Sequence, residues 1–327
     1  MELYHPVKIG NLELKGNLFL APVAGYSDRA FRYVCVANGA CFTYTEMVSA
    51  EALTRNNLKT EILMGRAENE KSYAVQIFGG DPDVMARAAR IVLDKTHCEC
   101  IDINCGCPVP KIIKTGAGSS LTRDPDRLFQ VAKAVVNECG DIPVTVKIRS
   151  GWDSSHITWK EAADAALQAG VKAITMHPRT RAQGYEGLSD WDILKQLVEF
   201  VKGRVPVFGS GDLFTPEKAR EMLETAGVDG VMFARGAMGN PFIFKDATSL
   251  LTEGKYIPVP AEERVKTGFE ELERLVGEIG EEHACREMRK RFNAYSKGIQ
   301  GGAALRAEIV HAASISDYRN IFQSVLK

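Results

Sequence analysis

A thiol, an amide and two cations stand close together in the stretch Ile101–Leu121, IDINCGCPVPKIIKTGAGSSL. Cys107 follows Asn104 and Gly106 and precedes Pro108, and Lys111 and Lys114 lead into the glycine-rich run Gly116-Ala117-Gly118. A free thiol titrates near pH ~8.5, so at neutral pH it is mostly protonated and suits a proton donor. An asparagine amide beside it can hold the polar edge of a substrate, and the lysines can serve catalysis or grip phosphate.

These groups need a rigid support. Ile101-Asp102-Ile103 reads as a buried strand, and Gly106 and Pro108 end it, because glycine packs nothing and proline donates no N–H. The reactive side chains therefore sit at the carboxyl end of a strand, where parallel α/β folds carry their chemistry. Seven further strands are predicted, at Leu18–Ala21, Phe42–Met47, Tyr73–Phe78, Val144–Ile148, Ala173–His177, Val205–Phe208 and Gly230–Ala234. Helical periodicity occupies Asp83–Asp94, Pro125–Glu138, Thr158–Ala169, Trp191–Val201 and Thr215–Thr225. Eight strand–helix units over about 230 residues match an α/β (β/α)8 TIM barrel, which takes about 250. A doubly wound sheet is the alternative, but the usual G-x-G-x-x-G is missing after the first strand, Ala21-Pro22-Val23-Ala24-Gly25. Residues 7–16, VKIGNLELKG, read as a hairpin about Gly10-Asn11 that plugs the barrel bottom. Gly254–Pro260 reads as a linker to a small all-helical C-terminal domain, with Val265, Phe269, Leu272 and Leu275 on its apolar face. The expected division is 1–250 and 251–327.

Given a barrel, the strand ends converge as a polar ring: Pro22, Glu46, Gln76, Asn104 with Cys107, Lys147, His177 with Arg179, Ser210 with Asp212, and Arg235. The small-residue loops Gly209-Ser210-Gly211-Asp212 and Ala234-Arg235-Gly236-Ala237 suit a phosphate cradle built from backbone N–H groups. Lys147 can stabilise negative charge on a phosphorylated cofactor's ring, such as a reduced flavin, or form the Schiff base of an aldolase. The loop His177–Tyr185, with Arg179, Arg181, Gln183 and Tyr185, suits phosphate oxygens and base edges better than a small sugar phosphate. In the helical part, Arg286, Arg289, Lys290 and Lys297 share one helical face.

Composition sets outer bounds. The chain has 327 residues, 45% hydrophobic and 25% charged, with net charge −1, which excludes a globally basic nucleic-acid binder but leaves room for a local basic surface. No transmembrane run or secretory signal is read, and the eight scattered cysteines suit a reducing cytoplasm. Cys98 and Cys100 lack structural zinc spacing and read as buried structural residues, so no metal is expected.

The motifs Ala21–Asp28 (APVAGYSD), Thr45–Ala50 (TEMVSA), Asn104–Pro108 (NCGCP), Val146–Arg149 (VKIR) and His177–Gln183 (HPRTRAQ) occur in order, followed by Arg289-Lys290-Arg291 and Tyr295–Gly298. On these the chain resembles the bacterial-type, FMN-dependent tRNA-dihydrouridine synthases over nearly its whole length. The resemblance implies FMN held by Pro22, Val23, Ala24, Gln76, Lys147, His177, Ser210, Gly211, Asp212, Ala234 and Arg235, with NADPH or NADH as reductant. It implies Cys107 as the general acid, Asn104 against the target uracil, and Lys111, Arg179, Arg181, Gln183, Arg289 and Lys290 as tRNA contacts. The partner implied is tRNA, met by a cytoplasmic monomer with no membrane association. Departures are Ser210 for the usual Asn, Ala234 for Gly, Arg291 for His, Ala294 for Trp, and Cys105 for Met or Leu. A flavin oxidoreductase acting on a free pyrimidine, as dihydroorotate dehydrogenases do, is the alternative, and a tRNA-binding module without catalysis is a third.

Overall fold

The structure is a computed structural model and describes residues 2–326. β1 (Val7–Ile9) and β2 (Leu12–Leu14) form the predicted antiparallel hairpin across Gly10-Asn11. Then follow β3 (Leu18–Leu20), β4 (Phe42–Thr43), β5 (Val48–Ser49), β6 (Ala74–Phe78), β7 (Cys100–Cys105) and β8 (Val144–Asp153). After them come β9 (His156–Ile157), which folds back antiparallel on β8, and then β10 (Ala173–Thr180), β11 (Val207–Ser210) and β12 (Gly230–Phe233). Hydrogen-bonded neighbours run β4-β3-β12-β11-β10-β8-β7-β6-β5, all parallel along this path. β4 and β5 are two halves of one stave, and Tyr44 between them bridges to Ala74 of β6. The sheet thereby closes into a (β/α)8 barrel, as the strand–helix alternation predicts.

Side-chain alternation layers the barrel interior. Phe19, Phe42, Ala74, Cys100, Ala173, Phe208 and Met232 form an apolar layer with Val7, Ile9 and Leu14 of the hairpin. Gly10 lies against Pro143 and Lys172, the residues just before β8 and β10, so the hairpin closes the amino-terminal end. Two residues further along four of these strands the inward positions turn polar and remain buried, at Gln76, Asp102, Thr175 and Ser210, with Thr145 of β8 beside Asp102. The outward-facing Ile101, Ile103, Val146, Ile148, Ile174 and Met176 pack under the helices. Those helices, Pro82–Thr96, Pro125–Cys139, Trp159–Ala169, Trp191–Val201 and Pro216–Ala226, begin and end close to the predicted limits. Asp81 and Asp124 each cap a helix whose first turn starts with proline, which is why the starts were legible.

The helix Ile243–Glu253 still belongs to the barrel core through Ile243, Phe244 and Ala247, so it runs past the expected division at residue 250. After Gly254 the helices Ala261–Ile279, Glu281–Tyr295, Gly302–Ile309 and Ile315–Ile321 close over a separate apolar cluster. It is centred on Phe292, whose ring stacks on Tyr318 at 4.5 Å. Among the described residues no helix is long and apolar enough to cross a membrane.

Candidate active site

Past the end of β7 the chain turns sharply, and the turn is built on Asn104. Its Oδ1 accepts the backbone N–H of Gly106 at 3.2 Å and of Cys107 at 2.9 Å. Arg149, on neighbouring β8, donates from Nε to the Gly106 carbonyl at 3.0 Å and from Nη1 to Thr180 and Gly184. The glycine-rich run backs this turn: Ser119 N–H donates to the Cys107 carbonyl at 3.0 Å, and a Cβ on Gly118 would come within 2.7 Å of the same oxygen. Half-burial pushes the Cys107 thiol up, with the Val109 N–H and the Arg149 and Lys147 charges opposing. A protonated thiol is thus presented beside two cations.

Under the thiol lies a line of buried hydrogen bonds. The Asp102 carboxylate accepts from Thr145 Oγ1 at 2.5 Å and from Gln76 Nε2 at 2.6 Å. Gln76 Oε1 in turn accepts from Asn104 Nδ2 at 2.8 Å. Both polar atoms of Asn104 are thus engaged within the protein, leaving one N–H near Met47 Sδ at 3.7 Å. Burial pushes Asp102 up to about 6, with the Gln76 and Thr145 hydrogen bonds and the Lys147 charge opposing. Lys147, opposite Asn104 in the β7–β8 register, is lowered to about 8 by burial and the Arg149 charge, with Asp102 opposing.

Across the barrel top stand His177, Arg179, Ser210, Asp212 and Arg235. Burial and the charges of Lys147, Arg149, Arg179 and Arg235 lower His177 to about 2, so it is neutral. Arg179 Nη1 donates to its Nε2 at 3.1 Å, which leaves the imidazole proton on Nδ1. Asp212, at φ 57°, accepts from Arg179, from Arg235 at 3.3 Å and from the Ser189 N–H at 2.7 Å. Two glycines make room here: a Cβ on Gly211 would meet Ser189 Oγ at 2.2 Å, and one on Gly236 the Leu213 carbonyl at 2.0 Å.

His177, Ser210, Asp212 and Arg235 border one cavity of about 520 Å³, within the size range of cofactor sites. Pro22, Val23, Ala24, Gln76, Asn104, Cys107, Lys147, His177, Ser210, Gly211, Asp212, Ala234 and Arg235 all line it. The fit to a planar, phosphorylated cofactor is good: one wall is apolar, one is cationic, and small residues at 210–211 and 234–236 leave backbone N–H groups approachable.

Other expected residues lie elsewhere. Arg179 is 1% exposed, and its donors are committed to His177, Glu186, Gly187, Ser189 and Asp212, so as a tRNA contact it is corrected to a structural brace. Glu46 turns away from the cavity and accepts the Gly25 N–H at 2.5 Å. Gln183 Oε1 caps the Thr180 N–H at 2.8 Å, steadying its own loop. Lys111 is exposed beyond the thiol turn, and Arg181 stacks on Trp152 at 4.7 Å with Arg123 also over that ring at 4.5 Å. Lys290 reaches the cavity's rim, donating to the Gly25 carbonyl at 2.8 Å and lying over the Tyr26 ring. Arg289 is partly buried on the Ala312 carbonyl, and Glu282 and Glu287 pair with Arg286 and Lys290, so the expected cationic face is interrupted. Sequence reasoning passed over Arg149 and Tyr26 as cavity residues, and Asp102 as a buried acid. The signal for Asp102 and Arg149 was inward strand parity, 102 with 104 and 147 with 149, which marks position but not partner, while Tyr26 lies in the loop after β3, where no parity applies.

Comparison with known proteins agrees with this geometry. The family described as Dihydrouridine synthase (Dus) matches residues 19–326. A probable tRNA-dihydrouridine synthase of Treponema pallidum (strain Nichols) is 54% identical over 327 residues, covering 98% of this chain and 96% of that one. A tRNA-dihydrouridine synthase B of Pseudomonas putida is 38% identical over 302 residues, covering 92% and 88%. Among solved structures, a 2-naphthoyl-CoA reductase complex superposes with TM-score 0.60 at 13% identity over 78% of this chain and 52% of that one. Histamine dehydrogenase from Rhizobium sp. 4-9 does so with TM-score 0.58 at 14% identity over 81% and 50%. This chain spans about half of those two, which share its fold. With the family's match running through barrel and helical tail alike, the chain belongs to the dihydrouridine synthase family.

Proposed function

We propose that this chain is a tRNA-dihydrouridine synthase that reduces the C5–C6 bond of specific uridines, with Cys107 as the general acid. The observation that carries the reading is the half-buried, protonated thiol of Cys107 at a cavity flanked by Lys147 and Arg149. FMN, recharged by NADPH or NADH, would supply the hydride for C6. Ser210, Gly211, Ala234 and Arg235 would hold its phosphate, Lys147 and neutral His177 would border its polar groups, and Pro22 to Ala24 would form the apolar wall. Cys107 donates its proton to C5, and the raised pKa keeps that proton in place until it is needed. The uracil must leave its stack to enter, with the remaining N–H of Asn104 available to its edge.

We assign the barrel, including the helix Ile243–Glu253, as the catalytic domain and the helices after Gly254 as the part that grips tRNA, with Lys290 joining the two at the rim. Outside the cavity, Arg181 with Arg123 on Trp152, and Lys111 and Gln183, are the proposed RNA contacts. The chain is proposed to act as a monomer, and its free cysteines suit the cytoplasm. The test is Cys107→Ala: it should keep bound flavin and NADPH oxidation while dihydrouridine in tRNA falls by about 10²-fold or more. Full product formation by that variant defeats the assignment.

A further inference from the structure

Asp102 carries no role in the reading above, yet it lies fully buried behind the cavity residue Gln76, two residues before Asn104 on the same strand. It heads a chain of hydrogen bonds in which every link has a direction. A carboxylate can only accept, so the side of Gln76 facing Asp102 at 2.6 Å must be its NH2 group. That places Gln76 Oε1 toward Asn104, which must then present its own NH2 at 2.8 Å. Asn104 is left with its oxygen toward the turn, where it accepts the N–H groups of Gly106 and Cys107. With the amides reversed, an NH2 group would face two N–H donors, and the turn would lose its cap.

We propose that Asp102 is a positioning residue: by fixing the orientation of the Gln76 and Asn104 amides, it holds the turn that aims the Cys107 thiol. Thr145 completes the arrangement by donating to the other carboxylate oxygen at 2.5 Å, so Asp102 itself cannot rotate freely. The inference deepens the proposed function and rests on it for what the thiol does. The position of the thiol is a separate matter and can be measured without flavin or tRNA.

The measurement is the rate of iodoacetamide alkylation of Cys107 in the full chain, followed by peptide mass spectrometry, with circular dichroism confirming the fold. Asp102→Leu should release the turn and raise the rate about fivefold, the worth of one hydrogen bond. Asp102→Asn should stay within about twofold of the parent, because an amide can face its oxygen to Gln76 and its NH2 to Thr145. In turnover, Asp102→Leu should lower kcat for dihydrouridine formation more than it raises KM for tRNA, and Asp102→Asn should restore kcat. Should Asp102→Leu not fold, Gln76→Met breaks the next link and should show the same acceleration. An unchanged alkylation rate in the folded variant overturns the proposal, as does an Asp102→Asn variant as fast as Asp102→Leu, since charge and not orientation would then govern the turn.

Discussion

At the scale of the residue, the cavity sorts its ionisable groups by what surrounds them. Cys107 is kept protonated and His177 is kept neutral by burial, the one against and the other together with the same cluster of cations. Asp102 is raised from 3.8 to about 6 by burial, so its preference for the protonated form stabilises the fold fully only below about pH 3.8. That contribution is lost as pH rises through about 6, a change of about 3 kcal/mol. Asp102→Asn has no such titration. Its melting temperature relative to the parent should therefore rise between pH 4 and pH 7, as differential scanning fluorimetry across that range would read. A flat difference would mean that Asp102 is better solvated than its burial implies.

At the scale of the element, the helix Glu281–Tyr295 does more than display charge. Its Arg291 is buried and pairs with Asp28, and with Glu271 at 2.5 Å, while Tyr295 donates to the other Glu271 oxygen at 2.7 Å. Asp28 also caps the helix Arg29–Ala37, just after the segment Pro22–Tyr26 that forms one wall of the cavity. The helical tail is thereby bolted to the loop that borders the site. Arg291→Ala leaves Glu271 buried without its counter-charge, and should destabilise the chain by about 3–5 kcal/mol, seen as a lower urea midpoint. Arg291→Lys should recover part of this, since one ammonium cannot serve both carboxylates with the same fork geometry.

At the scale of the molecule, a net charge of −1 means that any grip on RNA comes from local surfaces and not from overall attraction. Arg123 and Arg181 on the Trp152 ring, with Lys111 near the thiol turn and Lys290 at the rim, border the proposed approach to the cavity. Binding of tRNA should weaken by about tenfold or more between 50 and 200 mM salt, measured by filter retention. Replacing both Arg123 and Arg181 by Ala should flatten the slope of log affinity against log salt by about 1–2. A slope unchanged by that pair would move the RNA surface elsewhere.

The barrel was legible in the sequence because it depends on local rules. Short apolar runs, aspartate–proline helix starts at Pro82 and Pro125, and glycine ends at Gly140, Gly170 and Gly227 punctuate the units, and their order leaves little choice of topology. The thiol turn was equally plain, since Gly106 and Pro108 break a strand wherever they fall. Long polar side chains are another matter. Arg179 is expected as a tRNA contact and Arg291 stands in a run of cations, yet both are buried, because Asp212, Asp28 and Glu271, far away in sequence, neutralise them. Glu46 and Asp102 lie at inward-reading strand positions, but one turns out to a loop N–H and the other down to Gln76. The sequence alone determined the strand on which each group stands. Only tertiary packing decided its partner, because a flexible polar side chain follows whichever donor or acceptor the closed barrel brings within about 3 Å.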